Sequence, residues 1–221
     1  MKTGAVIVCA GKGARFGRDK ACVKVNGAPL FVHACRTFLR AGGIDQVVLV
    51  LRREHFSRAE EWFPEKKVRL AEGGACRTES VRNGLDALKK TIRGVLIHDG
   101  ARPFVSPELI GRVISALDSH EAVICGIRSR DTLKTVDSRG YVNSTLNRNS
   151  VYAVQTPQGF RRKMLRHAYA NAEHKEYFDD AQLVEQTGGK VKVIEGERKN
   201  VKITFPEDLD FFRGKQEGYD R

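Results

Sequence analysis

The stretch Ala5-Val6-Ile7-Val8-Cys9-Ala10-Gly11-Lys12-Gly13-Ala14-Arg15-Phe16-Gly17 decides the fold. It opens on a short apolar run rich in β-branched residues and breaks at once into a glycine-rich turn that carries cations. The run is too short, and too soon ended by glycine, to be a signal h-region or a membrane span. Similar runs recur from Gln46 to Leu51, Val68 to Ala71, Gly94 to His98, Ala122 to Cys125 and Val191 to Ile194, with helical patterns between them. Continuous apolar strands alternating with helices imply an α/β fold, a parallel sheet covered on both faces.

Two of the intervening helices are readable in detail. In 78–88 the spacing of Val81, Leu85 and Leu88 predicts an amphipathic helix behind Thr78 as N-cap. Pro107 suits the first position of another, with Leu109, Ile110, Val113, Ile114 and Leu117 on its apolar face. Residues 130–150 break the rhythm: they read as two short strands around Ser138-Arg139-Gly140, polar on both faces. An isolated ribbon is marginal in water, so this one is either a surface excursion or an arm that leans on a second subunit. The expected organisation is one domain over 1–221 with a β-arm at 130–150 inserted in it.

The chain has 221 residues, 41% hydrophobic and 30% charged, which excludes disordered, collagen-like and disulfide-scaffold classes. Its 39 Lys and Arg against 27 Asp and Glu give a formal charge of +12, a field that favours an anionic partner. Five cysteines without a C-x-x-C pair read as reduced, buried thiols of a cytoplasmic protein with no targeting segment. Lys and Arg are spread along the chain and Trp62 stands apart from any basic stripe. A nucleic-acid-binding module is therefore the weaker, different-class reading.

In the first turn Gly11 and Gly13 let the backbone approach a phosphate, while Arg15 and Lys20 answer its charge. The turn is not a Walker A, and Gly17 comes one residue late for a dinucleotide G-x-G-x-x-G. Arg52 and Arg53 at the end of the second strand would suit an NADP phosphate, yet no tyrosine is followed four residues later by lysine, as a short-chain reductase would need. His98-Asp99-Gly100-Ala101-Arg102-Pro103 closes the fourth strand at the edge where such sheets bind ligands. A carboxylate beside a triphosphate calls for a divalent cation between them, so Asp99 reads as a Mg²⁺ ligand, and otherwise as a cap or turn residue. His98 reads as a packed strand-end residue and not as a base.

Taken in order, Ala10-Gly11-x-Gly13-x-Arg15-Phe16 with Lys20, Glu72-Gly73-Gly74-x-x-Arg77-x-x-Ser80-Val81-x-x-Gly84-Leu85, His98 to Pro103, Arg130-Asp131-Thr132-Leu133-Lys134, Thr156-Pro157-Gln158-x-Phe160, Asp179-Asp180-Ala181 and Asn200-Val201-Lys202-Ile203-Thr204-x-Pro206-Glu207-Asp208-Leu209 resemble the 2-C-methyl-D-erythritol 4-phosphate cytidylyltransferases. The resemblance spans essentially the whole chain. It implies a Rossmann-like nucleotidyltransferase with a mainly parallel sheet and a protruding arm. That enzyme takes CTP and a polyol phosphate, releases pyrophosphate and leaves the CDP-linked intermediate of non-mevalonate isoprenoid synthesis.

By the same resemblance Arg15 and Lys20 stabilise the pentacoordinate phosphorus and the leaving pyrophosphate, and Ala10, Gly11 and Gly13 cradle the triphosphate. Gly73, Gly74 and Ser80 read the cytosine, and Asp99 serves the ribose and the metal. Thr132, Arg148 and Lys202 hold the acceptor, Arg148 and Lys202 also lending catalytic charge, and the arm joins two subunits of a homodimer. Three departures are visible: Asp19-Lys20-Ala21-Cys22 stands where the family has Pro-Lys-Gln-Tyr, in a loop about two residues shorter, and Ala75 and Lys199 stand where acidic residues are usual. Lys199 falls in a segment that completes the neighbouring subunit's acceptor pocket, which keeps ribitol 5-phosphate cytidylyltransferase as the nearest alternative.

Overall fold

A computed structural model describes residues 1–11, 13, 16, 17, 19, 23–64, 68–172 and 177–210. In chain order it contains β1 (Thr3–Val8), β2 (Lys24–Val25), β3 (Ala28–Pro29), α1 (Leu30–Arg40), β4 (Gln46–Leu51), α2 (Phe56–Trp62), β5 (Val68–Glu72), α3 (Arg77–Ala87) and β6 (Gly94–Asp99). There follow α4 (Pro107–Ala116), β7 (Ala122–Arg128), β8 (Lys134–Val136), β9 (Val142–Thr145), β10 (Tyr152–Arg161), α5 (Arg162–Ala170), α6 (Asp180–Gln186) and β11 (Lys192–Glu195). Seven strands form one sheet in the order β11-β7-β10-β6-β1-β4-β5. All neighbours in it are parallel except β10, which runs antiparallel between β6 and β7.

The apolar runs are continuous because both faces of the sheet are covered. Ile7, Leu49 and Leu96 point to the layer of Phe31, Phe38, Leu109 and Val113 from α1 and α4. Val6, Val48, Val50 and Ile97 point to the opposite layer, where α3, α5 and α6 contribute Val81, Leu85, Leu165 and Leu183. Alternate residues of one strand thus enter different cores, and both faces are lined mainly by apolar side chains. Helix α3 lies close on the sheet: a Cβ at Gly84 would come within 2.3 Å of Val6 Cγ1 and 2.9 Å of Val50 Cγ2.

Two expectations need correction. The α3 helix begins two residues earlier than read: Cys76 and not Thr78 is its N-cap, and Thr78 is buried in the first turn. Cys9 and Cys76 are only partly buried, whereas Cys35 and Cys125 are fully so; all four are free thiols, and Cys22 lies outside the described residues. The sheet is mainly parallel, as expected, and its antiparallel member is β10, whose Gln155, Thr156, Pro157 and Gln158 do not read as a central strand. The β10–β7 ladder shifts register between Gln155 and Gln158, the interval that contains Pro157.

The ribbon is present. β8 and β9 pair antiparallel around 137–141, and every residue of both strands is exposed.

Candidate active site

The carboxyl ends of β1, β4, β5 and β6 converge on one crevice, the place where an open parallel sheet takes its ligands. The turn after β1 begins at Ala10, which is buried, and Gly11, beside which a Cβ would meet nothing within 4 Å. Gly13 and Gly17 have φ of 70° and 73°, the left-handed region that suits glycine, and Phe16 N donates to Gly13 O at 2.8 Å. Arg15 and Lys20 lie outside the described residues.

The turn after β5 leans directly on the first. A Cβ at Gly73 would fall 2.1 Å from Ala10 Cβ, so only glycine allows the two turns to touch. Ser80 shapes this second turn: its hydroxyl accepts from Gly74 N at 3.0 Å and donates to Cys76 O at 2.9 Å. Glu79 Oε2 accepts from Ala75 N at 2.8 Å, which ties the turn to the first turn of α3. Ala10, Gly11, Gly73, Gly74 and Ser80 therefore form one continuous wall of small residues.

Asp99, the last residue of β6, is mostly buried beside two cations. Lys202 Nζ lies 2.6 Å from its Oδ2, and Arg77 Nη2 lies 3.5 Å from its Oδ1. Burial alone would push the carboxyl up, but Arg77 and Lys202 outweigh it and hold the group well below the usual carboxylate range. Asp99 is thus an anion at any working pH. Arg77 reaches further, to the fully buried Asp180 at 2.7 Å, whose other oxygen accepts from Tyr169 OH at 2.5 Å.

His98 is fully committed. With Nε2 donating to Arg102 O at 3.1 Å, Nδ1 is left to accept from Thr156 Oγ1 at 3.0 Å, and Thr156 Oγ1 itself accepts from Asp99 N at 3.1 Å. Burial pushes the imidazole down to about 4. Both ring nitrogens are used in fixing the end of β6, so His98 serves as a packed strand-end residue and offers no free base.

Lys202 is placed by contacts distant in sequence. Arg102 Nη1 donates to Asn200 O at 2.8 Å, Asn200 Nδ2 donates to Thr156 O at 2.7 Å, and Ile203 N donates to Ala101 O at 2.8 Å. Thr132 and Arg148 stand exposed on the arm, and among the described residues neither side chain bonds the Asp99 group. The structure therefore assembles Ala10, Gly11, Gly73, Gly74, Ser80, Asp99 and Lys202, and leaves the arm residues apart. Arg52, considered above for a nucleotide phosphate, is bound to Asp19 and Glu54 instead.

Arg77, Thr156 and Asp180 position this site, yet the sequence motifs assigned them no role. For Arg77 one signal was available: it lies three residues before Ser80, on the same helical face. The pairing of Asp180 with Arg77 has no local signature.

The comparisons with known proteins agree with this geometry. The family model described as IspD, 2-C-methyl-D-erythritol 4-phosphate cytidylyltransferase, matches residues 3–213. The chain is 40% identical over 219 residues to the 2-C-methyl-D-erythritol 4-phosphate cytidylyltransferase of Geobacillus thermodenitrificans, covering 96% of this chain and 95% of that protein. It is 38% identical over 212 residues to the enzyme of the same name from Bacillus mycoides, covering 92% and 93% of the two chains. Among solved structures, the 4-diphosphocytidyl-2C-methyl-D-erythritol synthase of Anaerococcus prevotii superposes with a TM-score of 0.89 at 35% identity, covering 98% of this chain and 96% of that one. The 2-C-methyl-D-erythritol 4-phosphate cytidylyltransferase of Thermus thermophilus gives 0.80 at 34% identity, covering 97% and 98%. With a family match over nearly its whole length, relatives well above 30% identity and the same fold, this chain belongs to the 2-C-methyl-D-erythritol 4-phosphate cytidylyltransferase family.

Proposed function

We propose that the protein transfers CMP from CTP to 2-C-methyl-D-erythritol 4-phosphate, releasing pyrophosphate and leaving the CDP-linked product used in isoprenoid precursor synthesis. The observation that carries this reading is the family match over 3–213, joined to a glycine-walled crevice with an anionic Asp99 and Lys202 at its edge. The acceptor's own phosphate oxygen attacks the α-phosphorus of CTP, so the protein supplies position and charge and no nucleophile. Ala10, Gly11 and Gly13 cradle the triphosphate; Gly73, Gly74 and Ser80 face the base. Lys20 and Arg15 stabilise the charge that builds on the phosphorus and the departing pyrophosphate, while Thr132, Arg148 and Lys202 hold the acceptor.

The residues present also fit Mg²⁺. Asp99 offers one ionised carboxylate, whose Oδ2 pairs with the half-exposed Lys202 and whose Oδ1 lies a looser 3.5 Å from Arg77; Mg²⁺ in nucleotide sites is commonly held by one or two carboxylates together with phosphates, and here it would take the place of a cation beside Asp99. Bound there, the ion would neutralise triphosphate charge. Incubated with CTP, Mg²⁺ and the acceptor, the protein should release one pyrophosphate per CTP consumed, as followed by a coupled phosphate assay. Release that does not depend on acceptor would indicate CTP hydrolysis and refute the transfer.

We further propose a homodimer joined through the arm, at work in the cytoplasm, where unpaired cysteines stay reduced. Val136, Tyr141 and Val142 are 56%, 68% and 59% exposed on a ribbon with no core of its own. Such apolar surface calls for cover, and a second copy of the arm supplies it symmetrically. Thr132 and Arg148, unattached to their own chain's Asp99 group, are then available to the partner's acceptor. Mixing Lys20→Ala chains with Arg148→Ala chains should restore part of the activity lost in each. A monomer by light scattering, or proven heterodimers without recovery, would refute the shared site.

A further inference from the structure

The end of β4 carries a cluster that the reaction as described does not use. Asp19 Oδ2 bonds Arg52 Nη2 and lies 2.5 Å from His55 Nε2, while Arg52 Nη1 bonds Glu54 Oε1 at 2.9 Å. His55 is buried, Asp19 and Arg52 are largely so, and Glu54 is mostly exposed. Asp19, Glu54 and His55 hold their ligand atoms close enough for a metal ion, but the Arg52 guanidinium already bonds both carboxylates and supplies the positive charge. A tether explains the cluster better.

What Asp19 is tied to is rigid. Arg52 directly follows Leu51, which is fully buried, and Leu51 O accepts from Gly73 N at 2.9 Å. Val50 O accepts from Cys9 N at 2.8 Å, so this end of β4 is fixed between the turns after β1 and β5 that wall the crevice. Asp19, fastened to it, is the residue next to Lys20 in the chain.

We infer that the Asp19–Arg52–His55 cluster is a positioning clamp: it fixes Asp19, the neighbour of Lys20 in the sequence, to the end of β4 for the chemical step. The inference rests on the role proposed for Lys20 and adds to it. Without the clamp, CTP still binds at the glycine wall and the chemical step slows. Misplacement of about an ångström can cost roughly a hundredfold in rate.

The test is a double-mutant cycle on the full-length enzyme with CTP, Mg²⁺ and 2-C-methyl-D-erythritol 4-phosphate. Asp19→Asn and, separately, Arg52→Gln should lower kcat roughly 10- to 100-fold, with the CTP dissociation constant and the melting temperature nearly unchanged. In a Lys20→Ala background Asp19→Asn should cost nothing more, because it acts through Lys20. Equal losses with and without Lys20, a change confined to melting temperature, or unchanged kcat in both single variants would overturn the clamp alone. Full activity in Lys20→Ala by itself would overturn the role of Lys20, and the clamp with it.

Discussion

Lys20→Ala is expected to lower kcat at least a hundredfold while weakening CTP binding far less, and Arg15→Ala to behave alike. Charge on the α-phosphorus and the pyrophosphate grows toward the transition state, so a fixed cation there counts for more in the transition state than in the bound substrate. Losing one such preorganised group typically costs about 3 kcal/mol. The rest of the wall, Ala10, Gly11, Gly73 and Gly74, stays intact in the variant and continues to hold the nucleotide. Single-turnover rates measured beside CTP dissociation constants separate the two effects. Equal losses in rate and affinity would make Lys20 a binding residue only.

The second large effect is on stability. Asp180→Ala should destabilise the fold by roughly 3–5 kcal/mol, because it removes the fully buried partner of the partly buried Arg77. Asp180 is fully buried and accepts from both Arg77 at 2.7 Å and Tyr169 OH at 2.5 Å. Its removal leaves the phenol without that acceptor and, among the described residues, leaves Arg77 the Asp99 carboxylate at 3.5 Å. Urea unfolding should show a lower midpoint at unchanged slope, and the Asp99 group should lose definition with it, since one arginine serves both carboxylates. A loss below about 1 kcal/mol would mean that water compensates Arg77 as well as Asp180 does.

The legible and illegible parts of this protein divide along physical lines. Strands β1, β4, β6 and β7 announce themselves because each is buried on both faces, so their apolar runs are unbroken. Helix α4 is equally plain: Ser106 caps it by accepting from Leu109 N, and Pro107 occupies its first turn. Strand β10 is hidden because Gln155, Thr156 and Gln158 look like loop residues, and the bonds that their side chains do make arise only in the tertiary structure. Gln155 bonds the backbone of Glu197, and Gln158 Nε2 donates to Asp179 at 2.8 Å.

The site divides in the same way. The glycine turn can be read locally, since its chemistry is a property of consecutive residues. The state of Asp99 cannot, because it is set by Arg77 and Lys202, which approach from other elements. The commitment of His98 depends likewise on Thr156, across from it on β10.

Lys199 stands exposed beside buried Asn200, where the resemblance leads one to expect an acidic residue. The most direct test of the reaction is therefore a competition for acceptor: equal 2-C-methyl-D-erythritol 4-phosphate and ribitol 5-phosphate with limiting CTP and Mg²⁺, the CDP-linked products separated and weighed by mass spectrometry. The cytidylated methylerythritol product should dominate in proportion to its higher kcat/KM. Predominance of CDP-ribitol would contradict the assignment of the acceptor, and the absence of either product would contradict cytidylyl transfer itself.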